Sequence, residues 1–454
     1  MTTTIGTARL VLRRGEDRRV RGGHPWIFSN EVEEWQGAVE DGGIVEVLDQ
    51  RGAFLGKAYV NRHSLICARM LTRGRDEIDT DFFVKRLERA KRTREALYTG
   101  EDAVRMVYGE SDQLPGLVVD RYGDVLAVQV LTRGMDEQLE PLRVALEEVF
   151  EPKGAVLIAD SPLRKLEGLD QHRGIWWGDV PEQVAVSVGG FALEADLVHG
   201  QKTGLFLDQR ENRKRAEARA HGRSALDVFC YQGEWAMHMA RGGATSVLAI
   251  DSSEPALTLA RANVERNGLA DSVQFLRMDA FDAMRRLERE GKRYGIIVLD
   301  PPALIKSRRA IAAGTRAYRE HNRLAMAMLE EEGILVTCSC SHHLDDDMFR
   351  QVLLEAARAA KRPMRVLDWS GEAPDHPRLL AVPETHYLKC AVLQALYDKA
   401  RRSSPDRRVV RAGPIPLSGR GQAWRPPIAH AQGRRCGRRC RAGRHSACPA
   451  RERC

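Results

Sequence analysis

Between residues 224 and 340, five short apolar runs (ALDVF, SVLAI, VQFLR, GIIVL and GILVT) alternate with amphipathic segments of helical period. Runs separated this way cannot pair as hairpins. Each helix has to cross back over a sheet face, which gives a parallel, doubly wound α/β sheet. The segment after the second run carries clear helix punctuation: Pro255 in the first turn, Leu257, Ala260 and Val264 on one face, and Gly268 as the stop. Residues 364–368 and 386–393 read as two closing strands.

Open α/β sheets place their chemistry at the carboxyl ends of the strands. Here those ends read DVFCYQG, IDSSEP, RMDAFDAM, LDPP and VTCSCS. A dinucleotide's pyrophosphate requires G-x-G-x-x-G, and the first loop offers only Gly233. S-adenosylmethionine (SAM) carries no phosphate, and it needs acceptors for an amino group and for ribose hydroxyls. Asp251 suits the ribose hydroxyls and Asp279 the adenine amine, with Ala280 and Phe281 lining the ring. Any one Asp is more often a cap or loop residue, but three at successive strand ends, Asp227 included, are harder to dismiss.

Two thiols, Cys338 and Cys340, follow the last run. A cysteine at a strand end is more often a packed apolar residue than a reactive one. Because the apolar run ends at Val336, Ser339-Cys340-Ser341 is expected to begin the loop, which makes Cys338 the packed thiol and Cys340 the exposed one.

The preceding half of the chain is organised differently. Residues 8–75 break into short strands (ARLVLRR, GGIVEVLD, FLGKAYV, LICARML) spaced as in a small β-barrel. Arg13, Arg14, Arg18, Arg19 and Arg21 cluster before His24-Pro25-Trp26, as either an RNA contact or a solvated turn. Residues 81–98 form an amphipathic linker helix, and 101–182 a small α+β domain reading strand, strand, helix, strand. A hairpin turning at Gly189-Gly190 leads into the alternating region. The expected divisions are 1–77, 78–100, 101–182, 183–398 and a disordered Arg-rich tail at 399–454.

The net charge of +8 comes from that tail, which holds 16 of the 71 Lys and Arg but two of the 63 acids, leaving 55 basic against 61 acidic side chains elsewhere. The body is mildly acidic, so any RNA surface has to be a local patch. No segment approaches the roughly 18 apolar residues of a membrane helix, and no signal peptide is evident; the expectation is a cytoplasmic protein with reduced thiols, no membrane partner and no metal. The four tail cysteines and His445 match no usual zinc spacing. The tail's composition resembles a read-through or frameshift product more than a metal site.

The order GHPWIFSNEV, VEVLDQRGAFLGKAYVN, ICARML resembles a PUA domain, a compact RNA-binding barrel. With HGQKTGLFLDQRENR, DVFCYQG, IDSSEPALTLARANVERNG, VLDPP, VTCSCS, DHP and YLK, residues 8–395 resemble the class I cytosine-C5 methyltransferases of bacterial 23S ribosomal RNA that carry an N-terminal PUA domain. The resemblance implies a Rossmann-like methyltransferase domain, with Asp227, Phe229, Tyr231, Gly233, Asp251, Asp279, Ala280 and Phe281 around SAM. It further implies Cys340 as nucleophile, Asp300 as its catalytic partner, and Pro301, Pro302 and Lys202 facing the substrate. Two positions depart from the family: Glu234 stands where a second Gly is usual, and Ala303 where a Lys follows Asp-Pro-Pro, with Lys306 close by. Other RNA cytosine-C5 enzymes have a Thr-Cys-Ser like Thr337-Cys338-Ser339, which keeps Cys338 as an alternative nucleophile.

The chemistry itself calls for a thiol. Carbon 5 of cytosine is a weak nucleophile until a thiolate adds to carbon 6. The expected partner is ribosomal RNA presenting a single-stranded or flipped-out cytosine, with a homodimer allowed. The competing readings are an adenine-N6 RNA methyltransferase, which needs an aromatic where Ala303 stands, and a non-catalytic RNA-binding assembly protein.

Overall fold

The computed structural model describes residues 8–200 and 203–396. Lys202 and the Arg-rich tail lie outside the described residues. Three large sheets succeed one another along the chain. The first has six strands in the order Trp26–Phe28, Ile66–Thr72, Phe54–Val60, Ile44–Leu48, Arg9–Leu12, Val32–Gln36. Alternation drives it: Ile44–Leu48 buries Val45 and Val47, which join Leu10, Leu12, Ala58 and Val60 in the core. Three of the five clustered arginines, Arg18, Arg19 and Arg21, fall in the short helix Asp17–Arg21, where Arg19 pairs with Glu31 at 2.5 Å and Arg21 with Asp49 at 2.7 Å. Part of the cluster's charge is therefore neutralised within this domain.

The second sheet runs His172–Gly178, Gly154–Ala159, Val125–Val130, Leu117–Tyr122, Ala103–Tyr108. The strand His172–Gly178 has no counterpart in the elements expected from the sequence. The helix expected as a linker, Thr80–Leu97, is instead part of this sheet's core: Phe83 and Leu87 are buried with Met106, Val119, Leu142 and Leu146. On the sheet's other face Tyr122, Ala127 and Ile158 share one apolar core with the hairpin Val184–Val188/Phe191–Ala195 and with the third sheet. The hairpin turns at Gly189 and Gly190, whose φ of 58° and 80° suit a two-glycine turn.

The third sheet has seven strands in the order Val273–Arg277, Ser246–Asp251, Ser224–Val228, Tyr294–Leu299, Leu329–Ser339, Lys389–Ala395, Met364–Ser370. The first five are parallel; Lys389–Ala395 runs antiparallel between Leu329–Ser339 and Met364–Ser370, and is the one reversed strand of the sheet. Chain order reverses at Ser224–Val228, which opens a crevice at its carboxyl end. Two boundaries differ from expectation. The strand Leu329–Ser339 continues past Val336, because Cys338 and Ser339 find partners in Cys390 and Lys389 across the sheet. The last strand starts at Lys389 and not at His386, because the Glu372 carboxylate takes the amides of Tyr387 and Leu388 at 2.5 and 2.7 Å.

Among the described residues no helix is long and apolar enough to cross a membrane.

Candidate active site

The loop after Ser224–Val228 is tightly wound. Phe229 and Tyr231 have φ of 67° and 48°, a region that side chains disfavour and that tends to persist at functional sites. Gly233, at φ 82°, starts the helix Glu234–Arg241; a Cβ there would lie 3.3 Å from that of Ala260. The loop is tied to the neighbouring strand end, since Asp251 accepts from the Tyr231 amide at 3.0 Å and the Ser253 amide at 2.9 Å. Phe229 and Phe281 both pack against the ring of His321, with centroids 5.9 and 5.2 Å apart, while Ala280 is buried beneath. Asp279 lies beyond its strand, which ends at Arg277. It caps the helix Ala280–Arg289, accepting from Phe281 and Asp282 at 2.9 and 3.2 Å.

Asp227 is fully buried, and neither of its oxygens has a hydrogen-bond partner of normal geometry. Burial first, then the carboxylates of Asp300 and Asp251, push its pKa well above the usual range against the pull of the Ala236 amide and Arg213. A buried acceptor left open beside two further carboxylates suits a cationic ligand, and SAM carries both an ammonium and a sulfonium. The residues fit that cofactor. The departure at Glu234 is absorbed inside the protein: its carboxylate is buried and pairs with Arg213 at 2.7 Å, although burial still raises its pKa.

The other half of the crevice holds Asp300 and Cys340. Asp300 accepts from Gln209 Nε2 at 3.1 and 3.0 Å and from Trp235 Nε1 at 3.0 Å, donors that fix its plane. Cys340 Sγ lies 4.0 Å from the Pro301 carbonyl; Pro301 is buried and Pro302 exposed. Among the described cysteines Cys340 is the one that is not buried. Cys338 is fully enclosed against Cys390, and burial followed by that thiol raises its pKa well above the ordinary value, so it resists forming a thiolate. The strand ends at Ser339, so Cys338 is a packed strand residue and Cys340 opens the loop, as the end of the apolar run led one to expect.

Lys389, Gln209, Trp235 and Tyr318 receive no role from the sequence, yet all four meet this site. Lys389 is buried, and its ammonium donates to the Ser341 and Tyr387 carbonyls at 2.8 Å each. Burial lowers its pKa, opposed by Asp346 and then by the Cys340 thiol. Tyr318 shares a hydrogen bond of 3.0 Å with Ser341 Oγ, which also accepts from the Ile305 amide at 3.1 Å. The sequence segments LDQRENR and YLK point to two of these residues, but no spacing rule assigns their contacts.

Fold and crevice together define a class I, SAM-dependent methyltransferase with an N-terminal PUA-like domain. The PUA-like domain family matches residues 10–73, and the S-adenosylmethionine-dependent methyltransferase family matches residues 105–384. Proteins named ribosomal RNA large subunit methyltransferase I are 36% identical over 84% of this chain in Erwinia tasmaniensis, and 36% identical over 86% in Aeromonas hydrophila, covering 98% and 100% of those relatives. The chain belongs to this methyltransferase family. A solved structure from Streptococcus mutans, described as a SAM-dependent methyltransferase, superimposes with a TM-score of 0.74 at 21% identity, covering 85% of this chain and 99% of that one. A methyltransferase structure complexed with SAH gives 0.75 at 21% identity, with the same coverage of both chains. At that identity the likeness speaks for the fold.

Proposed function

We propose that this chain methylates carbon 5 of a cytosine in large-subunit ribosomal RNA through a transient bond from Cys340. The observation that carries the reading is Cys340 itself: the one non-buried thiol among the described residues, set at the carboxyl end of a central strand beside an oriented carboxylate. The Cys340 thiol loses its proton to solvent, and the thiolate adds to carbon 6 of the cytosine, raising electron density at carbon 5. Bound SAM supplies the methyl group. Methyl transfer releases S-adenosylhomocysteine; water then takes the proton from carbon 5, the electron pair of that bond re-forms the 5,6 double bond, and the bond from sulfur to carbon 6 breaks to return the Cys340 thiolate. Asp300 holds the base by its N3 and amino edge, and Lys389 favours the thiolate. The target is single-stranded or flipped out, because carbon 6 is shielded within a stacked duplex. Ala303 offers no ring to stack on an adenine, which favours cytosine over the adenine-N6 alternative.

The test is methyl transfer from labelled SAM to ribosomal RNA from cells lacking the gene, followed by nucleoside mass spectrometry. The expected product is 5-methylcytidine. N6-methyladenosine would transfer the assignment to the amine-directed reaction, and SAM binding without any methylated RNA would make this a binding protein.

A further inference from the structure

The stretch Lys306 to Arg309 follows directly on the Asp300-Pro301-Pro302 loop, and its three cations Lys306, Arg308 and Arg309 are exposed. None of the three side chains makes an ion pair or a hydrogen bond with the described residues. Elsewhere in this sheet's shell arginines carry acids: Arg213 pairs with Glu234, Arg215 with Asp368, Arg241 with Glu217 and Arg323 with Glu288. In a body with more acids than bases, three exposed cations without an acidic partner within four residues make a local positive patch, of which the surface holds others. Most charge runs are simply solvated faces, so position has to decide.

Position favours a role. The segment is anchored on both sides to one atom, the Ser341 hydroxyl, by the Ile305 amide at 3.1 Å and the Tyr318 hydroxyl at 3.0 Å. Ser341 is the residue after Cys340. The helix Ile311–Ala327 is pressed onto the loop at Gly314, where a Cβ would come within 2.3 Å of Ile305 Cγ1 and 2.8 Å of the Leu304 carbonyl. The segment that carries the three cations is therefore flanked by packed residues tied to the neighbour of Cys340. A base entering the crevice brings its flanking phosphates past this segment.

Accepting the RNA substrate of the proposed function, we infer that Lys306, Arg308 and Arg309 form a phosphate clamp for the single-stranded RNA backbone flanking the target nucleotide. Such contacts position the strand without reading its sequence. They also place positive charge close to Ala303, the position at which the family usually carries a lysine.

The experiment uses the full chain and a fluorescein-labelled single-stranded RNA of ribosomal sequence, titrated by anisotropy at several KCl concentrations. Each phosphate neutralised on a single strand contributes roughly 0.7 to the slope of log K against log salt, so Lys306→Ser/Arg308→Ser/Arg309→Ser should lower that slope by about 2. Affinity for S-adenosylhomocysteine, measured by calorimetry, should stay unchanged. The comparison variant, Arg289→Ser/Lys292→Ser/Arg293→Ser, removes equal charge from exposed residues that precede the strand Tyr294–Leu299, at the opposite end of the sheet. It should leave the slope within about half a unit of wild type. An unchanged slope in the first variant, or an equal loss in the second, overturns the clamp while leaving the methyltransferase reading intact. A wild-type chain that neither binds nor methylates RNA overturns both.

Discussion

Replacing the two rim thiols one at a time should separate stability from chemistry, in opposite directions. Cys338 is fully buried in the core that includes Val336 and Cys390. Cys338→Ala removes one sulfur and leaves a small cavity, a cost of about 1–2 kcal/mol from reduced burial and incomplete collapse. That corresponds to a fall of a few degrees in the melting temperature of a chain this long. Cys340 is half-buried at the end of the strand, so Cys340→Ala should change stability by no more than about 0.5 kcal/mol. For turnover the order reverses. Without a nucleophile at carbon 6 the reaction should slow by about 10³-fold or more, roughly 4 kcal/mol of barrier, whereas Cys338→Ala should retain most of its rate. RNA containing 5-fluorocytosine provides the direct assay, because fluorine replaces the hydrogen that carbon 5 must lose and so traps the covalent adduct. Wild type and Cys338→Ala should form an adduct stable in denaturing gels, and Cys340→Ala should not. An adduct that survives in Cys340→Ala and vanishes in Cys338→Ala would exchange the two roles. No adduct from a wild-type enzyme that otherwise methylates its RNA would remove the covalent mechanism.

Three further outcomes follow from the geometry. Asp251→Ala and Asp279→Ala should each weaken S-adenosylhomocysteine binding at least tenfold by calorimetry, and Asp279→Ala should also lose about 1 kcal/mol of stability as a helix cap; undiminished affinity in both would remove these carboxylates from the cofactor site. Burial alone would raise the Glu372 pKa, but hydrogen bonds from His386 and the Leu388 amide outweigh it and take the value from 4.5 down to about 2, so its stabilisation is fully present above about pH 4.5 and lost as the pH falls toward 2. The whole effect is about 3 kcal/mol, and denaturant titrations at pH 3 and 7 should show a smaller difference for Glu372→Gln than for wild type; equal differences would refute the assignment. Lys389→Met should slow iodoacetamide alkylation of Cys340, followed by peptide mass spectrometry, several-fold at neutral pH and move its profile to higher pH, with Lys389→Arg restoring it. An identical profile in Lys389→Met would limit the lysine to holding the Ser341 carbonyl.

The sequence by itself determined the sheet and the place of its crevice. Five apolar runs separated by helical periods imply a parallel, doubly wound sheet, and any such sheet brings Asp227, Asp251, Asp300 and Cys340 to one edge, because the ends of parallel strands share a side whatever their order. Local chemistry also marked the glycine hairpin and the helix that begins after Ser253. Tertiary structure decided what depends on partners far along the chain. The strand Leu329–Ser339 is longer than its apolar run because Cys390 and Lys389 complete its ladder, and the helix Thr80–Leu97 is core rather than linker because the second sheet offers it an apolar face. The end of the apolar run already pointed to Cys338 as the packed thiol, but its complete enclosure against Cys390 comes from the distant strand Lys389–Ala395. The orientation of Asp300 by Gln209 and Trp235, and the anchoring of Lys389 on Ser341 beside Cys340, join positions 48 to 91 residues apart. Periodicity reports only on neighbours within a turn or a pleat, so contacts of that range are set by the packed fold alone.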